Sequence, residues 1–184
     1  KDNKPNEAQP DLSTILVDNL TNIKNAMGNS SDVVVREFSF GKNQCVDAAL
    51  IFVDGLADTK LINEDIIQPL MYKSGFLDLS EGLVRSSIDD IKKAMLSVSE
   101  VEDANSIDAV TQGILMGDAA LMINGINAAL ILNSKGWEKR NINEPSTEAV
   151  IRGPREGFTE NIRTSTALLR RKIKSPALTT ETMV

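Results

Sequence analysis

The chain reads as an α/β protein: a mixed β-sheet built largely from hairpins and flanked by helices, plus a C-terminal basic helix that starts a second, related subdomain. Three observations predict this. Two β-branched or apolar runs, Asp32 to Phe40 and Gln44 to Asp54, flank the turn-forming Gly41-Lys42-Asn43. Two more apolar runs between Asp118 and Ser134 surround Asn124-Gly125, a dipeptide that favours a tight hairpin. Elsewhere apolar residues recur at helical spacing.

Residues Lys1 to Pro10 hold two prolines, charges and amides, and read as a disordered tail. Residues 11–142 read as the first α/β subdomain. Within it, Leu12, Leu16, Leu20, Ile23 and Met27 fall on one helical face, with Asp11 placed to cap the start and Gly28 to end it. Ala48 to Val53 is apolar throughout, which predicts a central strand covered on both faces and ended by Asp54-Gly55. A helix is expected over Asn63 to Tyr72, bent at Pro69. Ser87 to Met95 and Ser106 to Met116 read as further helices, each opened by a serine with an aspartate shortly after it. The Asn124-Gly125 hairpin is expected to be core.

Residues 143–184 read as a linker, a basic helix and the start of a second subdomain. The chain turns polar after Trp137, and Ala149 to Ile151 leads into Gly153-Pro154 and a helix over Thr159 to Lys174. The stripe Leu12, Leu16, Leu20, Ile23, Met27 has a counterpart at identical spacing in Phe158, Ile162, Thr166, Leu169 and Ile173. A serine-containing break and a strand-like run follow each, Val33 to Phe38 and Leu178 to Val184. This fits an internal repeat, and it equally fits any amphipathic helix. As a repeat, the second helix would have no core of its own within these residues.

Composition excludes several function classes. With 26 acidic and 20 basic residues the net charge is −6, and aromatics are 4%, so nucleic acid is not an expected partner. The charge is uneven: Val150 to Ser175 carries seven basic residues against two acidic ones. There is no histidine, which removes the commonest general base and zinc ligand. The single Cys45 has no disulfide partner in the chain and reads as a small buried or half-buried thiol. The longest apolar run, Ala48 to Val53, is far shorter than the roughly 18 residues that span a bilayer. The chain begins at Lys1 without methionine or signal peptide and reads as a piece of a longer protein.

Candidate chemistry is sparse. Asp89-Asp90 and the group Glu100, Glu102, Asp103 lie in polar stretches flanking helices and read as solvated faces rather than a catalytic pair or calcium loop. Gly153-Pro154-Arg155-Glu156-Gly157 is a glycine-rich turn at a helix start whose arginines suit an anion or a subunit contact. It lacks the lysine and hydroxyl of a nucleotide loop. The cluster Arg163, Arg170, Arg171, Lys172, Lys174 fits a solvated helix face, an anionic membrane surface or the acidic body of a neighbour. No enzyme, cofactor or metal is expected.

The run from Glu148 to Lys174, EAVIRGPREGFTENIRTSTALLRRKIK, resembles the signature of the GerA-type spore germinant receptor A subunits. Arg36-Glu37-Phe38, Val53-Asp54-Gly55-Leu56, Gly117-Asp118 and Gly136-Trp137-Glu138 agree with it. The resemblance implies a hydrophilic N-terminal region of two related subdomains ahead of a membrane domain, in a receptor of the spore inner membrane. It implies partnership with B and C subunits, homo-oligomerisation, and detection of a nutrient such as an amino acid or sugar. On that reading Arg152, Arg155, Glu156, Asn161, Arg163, Arg170 and Arg171 are binding or interface residues that hold subdomains or subunits in register. The alternative is a module that itself binds the nutrient in a cleft.

Overall fold

The computed structural model describes residues 11–73, 91–92, 100–136 and 162–182. Strand β1 (Val33–Phe40) pairs along its whole length with β2 (Val46–Val53), from Val33 opposite Val53 to Phe40 opposite Val46. A five-stranded sheet is completed by β3 (Val101–Ala104), β4 (Ala119–Ile123) and β5 (Ala129–Leu132), in the order β1-β2-β4-β5-β3. The α/β class and the hairpin construction are as expected, and all four described pairings are antiparallel.

Strand β2 is an interior strand, paired on both sides, and its side chains divide the interior in two. Ala48, Leu50 and Phe52 enter one apolar cluster, while Ala49, Ile51 and Val53 enter the other. The first is covered by the helical stretch α2, residues 59–73, through Ile62, Ile66, Ile67 and Leu70, with Ile91 beside them. The second is covered by α1 (Leu16–Ala26) and α3 (Ile107–Leu115). A sheet between two helical layers explains why Ala48 to Val53 has no polar position.

The apolar stripe of α1 is buried as read, from Leu12 to Met27. Its start is not. Ile15 precedes the first turn without a side-chain cap, and Asp11 forms an isolated bridge with Ser106 while the Leu12 N–H donates to Asn105 O at 3.0 Å. Tertiary pairing thus takes the residue that local sequence offers as a cap. The C-terminal reading holds: Gly28 is left-handed (φ 62°), and the Gly28 and Asn29 N–H groups donate to Asn25 O and Lys24 O.

Helix α2 starts earlier than the expected Asn63, because the Asp58 side chain accepts from the Lys60 and Leu61 N–H groups. It passes through Pro69, and Ile62–Ile67 just before the proline is wound as a π-helix. The wider turn relieves the clash and missing N–H that proline imposes on an α-helix. In α3, the Ser106 hydroxyl caps Ala109 N–H at 3.2 Å, as expected.

The Asn124-Gly125 hairpin exists and is core, but it is not a two-residue turn: residues 124–128 link β4 to β5. Contacts with the N-terminal segment set its shape. Gly125 N–H donates to Thr14 O at 2.7 Å, and Asn124 Oδ1 accepts from Leu16 N–H at 3.2 Å. Strand β3 lies where a helix-flanking polar stretch was expected. Its Glu102 and Asp103 are exposed on a short edge strand, as the solvated reading requires. Cys45 is half-buried against the first cluster. Asp89-Asp90, most of the Ser87 to Met95 helix and the polar stretch after Trp137 lie outside the described residues.

Candidate functional site: the joint between the sheet and the basic helix

The basic helix, α4 (Ile162–Lys172), packs on the first α/β unit where α1 hands over to β1. After the left-handed turn at Gly28, Ser30, Ser31 and Asp32 lead into β1, and the Asp32 carbonyl accepts from Asp54 N–H at 2.8 Å. The start of β1 and the end of β2 are thereby held together, and α4 lies across both.

Arg170 has none of its surface exposed. Its Nε donates to Asp32 Oδ2 at 2.7 Å and one terminal nitrogen to Asp32 Oδ1 at 2.9 Å, a bidentate pair. The same terminal nitrogen reaches Ser30 Oγ at 2.9 Å, and the other donates to Ser175 O at 3.2 Å. Ser30 Oγ in turn donates to Asp32 Oδ1 at 2.6 Å and accepts from Thr180 N–H at 2.7 Å. Ser31 N–H donates to Thr180 O at 2.9 Å. A buried guanidinium is tolerable only when paired and saturated with acceptors, and here every guanidinium nitrogen has one. Burial alone would raise the Asp32 carboxyl; the hydrogen bonds and charge of Arg170, with help from Ser30 and Thr180, hold it below the ordinary value.

At the other end of α4, Arg163 forms an ion pair with Asp54. Gly55 (φ 81°) lets the helix come close: a Cβ there would stand 2.9 Å from Ala167 Cβ and 3.2 Å from Arg163 O. Ala167 joins the second apolar cluster. The repeat stripe points elsewhere. Ile162, Leu169 and Ile173 are 80%, 37% and 46% exposed, and Thr166 is half-buried. The strand-like run after α4 is not a strand over its described residues, 178–182; Thr179 instead packs against Gly28 and Thr180 spends its groups on Ser30 and Ser31.

A second, partly buried polar pair sits at the end of the β4–β5 pairing, where Ala119 lies opposite Leu132. Lys135 Nζ stands 3.5 Å from Asp118 Oδ1, an oxygen without a hydrogen-bond partner among the described residues. Burial pushes the Asp118 carboxyl up, against the pull of Lys135. The adjoining cavity, lined also by Glu100, Glu102 and Asn133, is only about 50 Å³. Among the described residues no group of cysteine, aspartate and glutamate side chains could hold a metal ion.

Of the residues singled out in the sequence, Arg163 and Arg170 meet at the joint and Arg171 is half-buried on the same helix, whereas Arg152, Arg155, Glu156 and Asn161 lie outside the described residues. Asp54 is read there only as the end of a strand and part of the family resemblance, and Ser30, Asp32 and Thr180 carry no site role. The available signal was an aspartate directly after a serine pair at a helix-to-strand break, a place where a side chain finds backbone partners.

The fold and the joint define an α/β unit tied to a downstream helix, and no helix among the described residues is long and apolar enough to cross a membrane. The chain belongs to the GerA family, whose profile, described as Bacillus/Clostridium GerA spore germination protein, matches residues 21–184. It is 35% identical over 172 residues to spore germination protein KA of Bacillus subtilis (strain 168), covering 94% of this chain and 30% of that protein. It is 29% identical over 168 residues to spore germination protein GerLA of Bacillus cereus, covering 91% and 33%. The chain therefore spans about a third of the length of these relatives. Among solved structures it resembles the N-terminal domain of the A subunit of the Bacillus megaterium spore germinant receptor GerK3, with a TM-score of 0.73, 29% identity, and coverage of 96% of this chain and 62% of that one.

Proposed function

We propose that this chain forms the first unit of the hydrophilic N-terminal region of a spore germinant receptor A subunit, and that it serves nutrient sensing, receptor assembly and signal transmission without making or breaking a bond. The observation that carries this reading is the buried Arg170–Asp32 pair, which fixes the downstream helix to the first sheet. A change in the position of one unit then passes to the next through a stiff contact.

The exposed stripe of Ile162, Leu169 and Ile173 is the surface on which the second, related subdomain packs, so α4 serves both units. Residues 143–184 are the hand-over between them, and Arg152, Arg155, Glu156, Asn161, Arg163 and Arg171 hold subdomains or neighbouring subunits in register. The whole receptor acts at the spore inner membrane with B and C subunits and as a homo-oligomer. Its trigger is a small nutrient, an amino acid or sugar. The family relationship and the likeness to a germinant receptor domain support these assignments.

The test is made in spores carrying full-length receptor with Arg170→Met. The expected result is a receptor present at normal level that germinates poorly with its nutrient; normal germination overturns the reading. Thermal-shift screening of the chain against amino acids and sugars asks where sensing begins, since a ligand selective for the folded state raises the melting temperature.

A further inference from the structure

The two edges of the sheet are treated differently. Strand β3 is four residues long and exposes Glu102 and Asp103, the short charged edge that discourages pairing. Strand β1 is eight residues long, contains neither proline nor lysine, and carries Val33, Val34, Val35, Phe38 and Phe40. The bond from Asp54 N–H to Asp32 O identifies the even-numbered residues of β1 as those that bond β2. The odd-numbered ones therefore turn their main-chain groups to the outer edge. Val33 N–H is taken by Ser30 O at 3.1 Å, and among the described residues no main-chain hydrogen bond outside the β1–β2 ladder reaches those of Val35, Glu37 and Ser39.

A groove of about 410 Å³ lies over this half of β1 and the facing start of β2, between Leu16 and Val17 of α1 and a floor of Glu37, Ser39 and Asp47, with Asn124 also lining it. Val17 is 66% exposed and its neighbour Ile15 54%. Asp47 is held toward the groove floor by Ser39 Oγ at 2.8 Å. A strand laid along β1 would set alternate side chains into this groove. There a long cationic side chain covers Val17 with its stem and brings its charge to Glu37 and Asp47. The intervening residues meet the partly buried Val34 and Phe38 on the opposite face.

We propose that the outer edge of β1 is a docking site for an extended segment of another polypeptide, one that alternates lysine or arginine with β-branched apolar residues and adds to the sheet as a sixth strand. Charge complementarity selects this occupant over a second copy of the chain. Two-fold pairing of β1 with itself would crowd the Glu37 and Asp47 carboxylates of two chains that each carry −6.

The test uses fluorescein-labelled peptide TKVKVKVT, capped at both ends, in anisotropy titrations with the chain. Saturable binding is expected, lost when the amides on the peptide edge that faces β1 are N-methylated. The acidic analogue TEVEVEVT is expected not to bind. Glu37→Lys, at an exposed position, is expected to weaken binding at least about tenfold while leaving the melting curve intact. Absence of saturable binding, equal binding of the acidic or N-methylated peptide, or indifference to Glu37→Lys overturns the proposal. So does a dimer in sedimentation that Val35→Pro dissolves.

Discussion

Arg170 and Asp32, 138 residues apart in sequence, meet as a bidentate pair at the one place where α1, β1, β2 and α4 converge. Such a pair adds little net stability over an apolar replacement of both partners, because two charges must leave water. Its breakage is costly, and its geometry fixes a direction. The joint is therefore better suited to specifying how two units are arranged than to holding either one folded.

Arg170→Met leaves Asp32 buried beside an apolar chain and is expected to destabilise the docked helix by about 3–5 kcal/mol. Adding Asp32→Leu in the same chain is expected to recover part of that loss. A double-mutant cycle from urea unfolding followed by circular dichroism checks this; strict additivity would mean the two residues do not act as a pair.

Gly28→Ala faces two separate problems, a left-handed backbone and a Cβ that would collide with Thr179 Cγ2. The substitution is expected to cost about 1 kcal/mol or more from the backbone alone. Thr179→Ser in the same chain removes the colliding methyl and is expected to restore the remainder. Thermal melts of the two single variants and the double variant separate the parts, and no recovery in the double variant would mean that Thr179 does not seat against Gly28.

Acid is expected to loosen the joint. The Asp32 carboxyl is held below its ordinary value in the folded chain, so its contribution is complete at neutral pH. It is lost as the pH falls from about 3.8 through the lower folded value. Unfolding curves at stepped pH should show Asp32→Asn less stable than the parent at pH 7, with the gap closing below pH 3.8. A gap independent of pH would contradict this origin.

Asp118 should behave in the opposite sense. Its carboxyl is raised by burial, so its charged form costs stability at neutral pH and the cost is relieved as acid protonates it. Asp118→Asn is expected to equal or exceed the parent in stability at pH 7, an advantage that shrinks on acidification. A marked loss at pH 7 would show that the Lys135 contact outweighs burial.

Much of this architecture was legible in the sequence, and the failures share a cause. The strands, their hairpins and the stripe of α1 follow from periodicity, because a half-buried helix or a doubly covered strand must repeat at its own period. Asp11 was misread as a cap because Ser106 recruits it, and β3 was missed because three of its four residues are polar or small, as an edge strand permits. On α4 the apolar comb of Ile162, Leu169 and Ile173 identified the face turned away from the first unit. The docked face is Ala167, Leu168 and Arg170, and a fully buried arginine is invisible to a reading that places charge outside.

Hydrogen exchange measured by mass spectrometry on the parent chain and on Arg170→Met tests the joint most directly. The account expects residues 162–182 and the Ser30–Asp32 turn to lose protection in the variant while β2 keeps its own. Unchanged protection of residues 162–182 would show that α4 is held by something other than this pair.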